Sequence, residues 1–198
     1  EESRTAMSEK FDVIVIGAGA AGLMCAAEAG KRGRRVLVVD HAKKPGRKIL
    51  IAGGGRCNFT NYDVTAKNFL SQNPHFVKSA LAQYTNWDFI SMIYKHGIEF
   101  EERDHGQLFC VNDHNSKDIV TMLLAECKQA KVEERYRCDV HSIEKTDAGF
   151  KMHLNTDEVE CDSLVIATGG LSMPKLGATP FGYNCLLYTS DAADDDAC

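Results

Sequence analysis

Short apolar runs alternate with glycine-punctuated stretches along the first forty residues. Residues 11–16 read FDVIVI, rich in β-branched side chains and without a regular polar face, as in a strand buried on both sides. Residues 17–22 read GAGAAG, and the Ala-rich stretch 23–31 of good helix formers ends near Gly30 and Gly33, which predicts a helix. Residues 35–40, RVLVVD, form a second buried strand. A strand, a glycine turn, a helix and a strand within about thirty residues predict two parallel strands joined by a helical crossover.

The pattern then changes. Residues 45–61, PGRKILIAGGGRCNFTN, are rich in Gly and Arg and read as a loop with one helical turn at 48–51. Polar sequence continues to Pro74. Apolar residues at helical spacing predict helices over 76–84 and 87–96, closed by Gly97. Short strands are expected at 98–100 and 107–111. A helix begins at Ser116, read as its cap. Residues 132–143 and 150–154 read as strands of a small meander turned at Asp147-Ala148-Gly149. Residues 163–168, SLVIAT, form a last buried strand running into Gly169-Gly170.

Composition narrows the class. With 198 residues, 44% hydrophobic and 26% charged, the chain suits one globular core, or a domain plus part of another. No apolar run is long enough to span a bilayer, and no membrane partner is expected. Residues 1–10 lack an apolar signal core and read as a disordered leader. Four of the five net negative charges come from Asp191, Asp194, Asp195 and Asp196, which leaves the body at −1. A near-neutral body predicts no nucleic-acid partner. Eight cysteines without a C-x-x-C pair and no secretory signal point to reduced thiols and a cytoplasmic location. Seven scattered histidines offer no metal-ligand spacing, so no metal is expected.

Three motifs carry chemistry. Gly17-x-Gly19-x-x-Gly22 follows a strand and opens a helix, the context in which this spacing binds a dinucleotide pyrophosphate. Gly17, Gly19, Ala20, Ala21 and Gly22 are its candidate contacts. Asp40, ending the second strand, is placed to accept both hydroxyls of an adenosine ribose and to disfavour a 2′-phosphate. In the second motif Arg47, Lys48 and Arg56 can offset phosphate charge. Gly54 and Gly55 let backbone lie against a flat ring, and Asn58 and Thr60 offer hydrogen bonds to it. Cys57 has no second cysteine within ten residues, so dithiol chemistry is unsupported and the residue reads as a small buried thiol. The third motif is the strand ending Ala167-Thr168-Gly169-Gly170.

The stretch from Gly46 to Asn61, together with residues 106–109 (GQLF) and 166–183 (IATGGLSMPKLGATPFGY), resembles the BaiN-like, or aminoacetone-oxidase-like, FAD-dependent oxidoreductases of bacteria. The resemblance covers residues 11–184. It implies an α/β fold: a Rossmann-like FAD-binding domain of the two-dinucleotide-fold type with a small antiparallel β-meander. It implies FAD as cofactor, an Arg-Cys-Asn loop on the flavin side, Thr168, Gly169 and Gly170 near the cofactor, and Val140 at the position whose backbone meets the adenine. It further implies a flavoenzyme passing a hydride or electron pair between flavin and a small-molecule substrate, with NAD(P)H or O₂ as the other partner. No catalytic residue is identified. A non-catalytic nucleotide-binding module and an NAD-only Rossmann protein are the competing readings.

Members of that family continue into a substrate domain and return to the FAD domain. Here residues 185–198 read CLLYTSDAADDDAC, which written back into DNA resembles a transposase adapter of sequencing libraries. The expectation is an incomplete FAD domain over 11–184, cut short before its substrate domain, with a non-native tail.

Overall fold

A computed structural model describes residues 8–155, 157–172, 175 and 178–185. Most of the expected leader and nearly all of the expected adapter tail lie outside the described residues, as do four positions within residues 173–177 of the third motif. In chain order the elements are β1 (Glu9–Ile16), α1 (Ala20–Lys31), β2 (Val36–Asp40), α2 (Arg47–Ile51), β3 (Asn58–Asn61), α3 (Lys78–Gln83), α4 (Asn86–Lys95), β4 (Phe100–Glu102), β5 (Gln107–Cys110), α5 (Ser116–Gln129), β6 (Glu133–Tyr136), β7 (Val140–Thr146), β8 (Gly149–Leu154) and β9 (Glu158–Ile166). They fall into two compact units: Glu1–Arg47 with Leu123–Cys198, and Lys48–Met122.

The first unit is a Rossmann-like α/β unit. Its mixed sheet has the order β6-β2-β1-β9-β8-β7. β1 runs parallel to both β2 and β9, and β2 parallel to β6. β8 is antiparallel to β9 and to β7, the expected meander. Four of the five β2 residues are buried, as expected of a strand covered on both faces. Phe11, Ile14, Ile16, Leu37, Val39, Met152 and Val159 share one core cluster. α1 packs on β1 and β2. It is joined to α5 by the Cys127 thiol, which donates to the Leu23 carbonyl at 3.3 Å. The Lys31 ammonium also lies 2.8 Å from the buried Glu126 carboxylate.

Several boundaries differ from those expected. α1 begins at Ala20, inside the glycine motif, because the turn hands directly into the helix. Residues 132–143 do not make one meander strand. Arg137, at φ 51°, breaks the run, so that β6 joins β2 while β7 joins β8 at the opposite edge. The Asn115 side chain accepts from the Lys117 N–H (2.9 Å) and the Asp118 carboxylate from the Asn115 N–H (2.7 Å). Asn115 is therefore the cap of α5, and the Ser116 hydroxyl instead donates to the Leu50 carbonyl at 3.0 Å.

The second unit is built on a three-stranded antiparallel sheet, β3-β5-β4. β3, expected to be loop, pairs with β5, and the strand expected at 98–100 lies at β4. Phe59 sits edge-on to Phe100 (5.5 Å) and tilted to Phe89 (6.2 Å), while Ile90, Ile93 and Leu108 are buried. α4 starts with a reciprocal cap in which the Asp88 N–H donates to the Thr85 hydroxyl and the Asp88 carboxylate accepts from the Thr85 N–H.

Candidate functional site

The glycine motif of the first unit lies at the carboxyl ends of its parallel strands, where open α/β sheets bind ligands. Two of its glycines are required by close approach. A Cβ on Gly22 would sit 1.8 Å from the Gly17 carbonyl oxygen. One on Gly17 would meet the Ala167 carbonyl oxygen at 2.4 Å, and Gly17 also has φ +111°. Gly19 differs. Its backbone is ordinary (φ −87°, ψ −169°), and a Cβ there would find no protein atom within 4 Å. Neither conformation nor packing demands a glycine at this position. It faces open space at the start of α1, whose first turn has no side-chain cap. The N–H groups that an uncapped first turn leaves over are donors for an anion. Ala20 and Ala21 are exposed beside it.

Asp40 closes the cradle. Its two carboxylate oxygens accept from the Ala18 N–H (2.7 Å) and the Ala42 N–H (2.8 Å). A carboxylate has about four acceptor positions, so hydroxyl donors can still be received. The Gly46 N–H donates to the Ala18 carbonyl at 2.8 Å, which carries the half-buried Arg47 next to the glycine turn. The Ala167 N–H donates to the Ile16 carbonyl at 2.8 Å, bringing Thr168 against Gly17. Gly169 follows in the left-handed region, at φ 73°, and Gly170 comes next. The structure thus gathers Gly17, Gly19, Gly22, Asp40 and Thr168 at the carboxyl ends of the central parallel strands β2, β1 and β9. Val140 opens β7, two residues beyond a contact with the end of β2. The groups that meet that strand end are the Arg137 and Cys138 N–H, donating to the Ala42 and Asp40 carbonyls at 3.0 Å each. Val140, in β7, pairs with Leu154 of β8 and packs on the core cluster.

The second unit has its own glycine loop. Gly53, Gly54 and Gly55 have φ 57°, 66° and 90°, in a tight turn closed by the Cys57 N–H on the Ala52 carbonyl at 2.9 Å. A Cβ on Gly53 would meet the Phe109 ring at 2.6 Å, whereas Gly54 is open. Arg56 is exposed and its carbonyl accepts from the Cys110 N–H at 3.0 Å. Cys57 is buried, and burial pushes its thiol up to about 11. Its neighbour Cys110 is pushed up to about 12 by burial and then by Cys57. Both are neutral thiols near pH 7. The Asn58 amide, oriented to satisfy both its ends, donates to the Thr60 and Leu108 carbonyls at 3.1 and 3.3 Å. Lys48 and Thr60 belong to the same unit, in α2 and β3.

One arrangement had no sequence signature. The Asn86 amide donates to the Asn61 and Tyr62 carbonyls at 2.9 and 3.0 Å, pinning together two points on either side of residues 63–85. A side chain bonding to backbone across such a separation has no characteristic spacing. Among the described residues no group of His, Cys, Asp and Glu is arranged to hold a metal, and no helix is long and apolar enough to cross a membrane.

Residues 11–190 match the family described as HI0933-like protein Rossmann domain. The chain is 59% identical over 175 residues to a ribosomal RNA dihydrouridine synthase of Escherichia coli, covering 88% of this chain and 43% of that protein. It is 25% identical over 171 residues to a 3-dehydro-bile acid delta(4,6)-reductase of Clostridium scindens, covering 85% of this chain and 41% of that protein. The chain thus spans less than half the length of these relatives. Among solved structures it resembles a 3-ketosteroid-delta4-(5alpha)-dehydrogenase of Rhodococcus jostii, with a TM-score of 0.61 and 16% identity, covering 85% of this chain and 48% of that one.

Proposed function

Because the chain belongs to the HI0933-like Rossmann-domain family, we propose that it is the cofactor-binding part of an FAD-dependent reductase acting on a uracil base in ribosomal RNA. The observation that carries the dinucleotide reading is Gly19, a glycine required by neither dihedral angles nor close contact, in front of an uncapped helix whose turn is joined to Asp40. Bound FAD supplies two-electron exchange between a nicotinamide and an organic substrate.

The chain's own groups have separate tasks. The first-turn N–H groups of α1 hold the pyrophosphate, with Gly17, Gly19, Ala20, Ala21 and Gly22 leaving room for it. Asp40 accepts the ribose hydroxyls. Thr168, Gly169 and Gly170 flank the same strand ends, and Val140 borders the adenine end. Arg47, Lys48 and Arg56 balance phosphate charge. Gly54, Gly55, Cys57, Asn58 and Thr60 carry the flavin contacts. The neutral Cys57 thiol does not compete as a nucleophile.

Two relatives narrow the reaction. Dihydrouridine is uridine with two hydrogens added across a C=C conjugated to a carbonyl, and a 3-dehydro-bile acid delta(4,6)-reductase also reduces C=C bonds. A reductase of a conjugated C=C, with NAD(P)H giving the electron pair, fits both better than an amine oxidase. The 59% identity favours the RNA base as substrate. This departs from the expectation of a small molecule with no nucleic-acid partner.

The test has two readouts. Gly19→Ala should lower the thermal midpoint of the FAD-free chain only slightly, as expected of alanine at an N-cap, and weaken FAD binding about tenfold or more, the size expected when a methyl enters an occupied space. Equal FAD affinity in the variant would remove the pyrophosphate assignment. The FAD-loaded protein with NAD(P)H should raise the dihydrouridine content of deproteinised ribosomal RNA. A loaded protein that oxidises NAD(P)H and leaves that RNA unchanged would remove the substrate.

A further inference from the structure

Residues 63–85 leave the second unit and return to it at a point closed by the Asn86 amide on the Asn61 and Tyr62 carbonyls. None of the residues 63–85 is buried. Apart from α3 and one short turn it has no regular structure of its own, and long segments of that kind are usually functional or linkers. This one turns its apolar side chains outward: Leu70 is 97% exposed and Phe76 77%, with Phe69 and Tyr84 also exposed. Trp87, 56% exposed, stacks on Tyr62 at the neck, with ring centroids 5.4 Å apart and planes 24° apart. α3, within the excursion, buries no residue at all.

Charge indicates what covers this surface. The chain has 28 acidic residues, yet none lies between Asp63 and Asp88, while Lys67 and Lys78 are both exposed there. Asp63 and Asp88, both exposed, bound this stretch, and the Thr85 hydrogen bonds that hold the Asp88 carboxylate below the usual carboxylate range keep it ionised at the neck. Between those two carboxylates the stretch offers exposed flat rings, lysines and amide side chains such as Asn68, Gln72 and Gln83 beside its small and hydroxyl residues, the elements with which proteins hold single-stranded nucleic acid.

We infer that the excursion 63–85, with Tyr62 and Trp87 at its neck, is a docking surface for a single-stranded RNA segment. Its bases stack on the exposed rings, and its phosphates are met by Lys67 and Lys78. This rests on the reading of ribosomal RNA as substrate. It assigns to that partner a surface distinct from the proposed cofactor residues.

Trp87 is the sole tryptophan, so its fluorescence reports on this surface alone. A single-stranded uridine-rich RNA of about 12 nucleotides should quench Trp87 in the FAD-loaded chain, and added salt should reverse the effect. Phe76→Ala and the pair Lys67→Glu with Lys78→Glu should each weaken binding about tenfold. All three residues are exposed, so unfolding should be unmoved. RNA bound without quenching, or with equal affinity by the variants, overturns the surface. If dihydrouridine still forms in ribosomal RNA under those conditions, the substrate reading stands without it. Quenching that responds to the variants, with no dihydrouridine formed, upholds the surface and removes the substrate reading. Self-association abolished by Leu70→Ser, with no RNA bound, gives the surface to a second copy and overturns the inference.

Discussion

The two glycine loops look alike in sequence and answer to different constraints. In the first unit Gly17 and Gly22 are held by contact, since a Cβ on Gly22 would lie 1.8 Å from a backbone oxygen. In the second unit Gly54 is held by conformation, with φ +66° and nothing within 4 Å. Gly19 answers to neither. A glycine can therefore be demanded by neighbouring backbone, by its own dihedral angles or by something that is not protein, and only the coordinates separate the three cases.

Substitutions rank these causes. Gly22→Ala must push the α1 turn off β1, and should cost about 3 kcal/mol, read as a large drop in denaturant midpoint. A loss under 1 kcal/mol would mean that helix and strand separate more easily than the contact suggests. Gly54→Ala places a side chain in the left-handed region and should cost about 1–2 kcal/mol, with little effect on the first unit's cradle. Thr85→Ala removes the α4 cap and should cost about 1 kcal/mol, measured the same way. It probes the excursion's anchoring without touching its exposed rings. Gly19→Ala, at the N-cap of α1, should cost no more than about 0.5–1 kcal/mol and act chiefly on FAD. A destabilisation as large as that of Gly54→Ala would place Gly19 among the structurally required glycines.

The second loop also predicts a pH effect. Burial raises the Cys57 thiol from its ordinary 9.0 to about 11. Its folded value lies above its unfolded one. The stability it contributes is thus complete below pH 9 and lost as pH rises through about 11. Alkylation of Cys57 should be slow at pH 8 in the folded chain and fast after unfolding. Cys57→Ala should flatten the alkaline decline of stability. Rapid labelling at pH 8 would mean that the loop opens.

Legibility followed locality. β1, α1, β2 and the glycine turn were readable because strand hydrophobicity, helix propensity and turn chemistry agree over one short stretch. The α5 cap was misplaced by one residue because Asn115 and Ser116 are both good caps by type, and the choice was made by Leu50, which accepts the serine hydroxyl. The break at Arg137 was hidden because a non-glycine residue takes a left-handed conformation there. β3 was hidden because its sequence, NFTN, is strand only by virtue of β5 beside it. The near-neutral charge of the body, −1 without the four tail aspartates, concealed a stretch without acids between Asp63 and Asp88, since a summed charge carries no position.

The sequence by itself determined the parallel β–turn–α–β unit and its dinucleotide-type glycine spacing, because these depend on contacts within a few tens of residues. The tertiary structure decided which strands become neighbours, sending β6 and β7 to opposite edges of one sheet. It also decided which glycines are required by packing, and that residues 63–85 bury nothing. Those outcomes depend on backbone groups meeting across long separations, and no local pattern of residues encodes such a meeting.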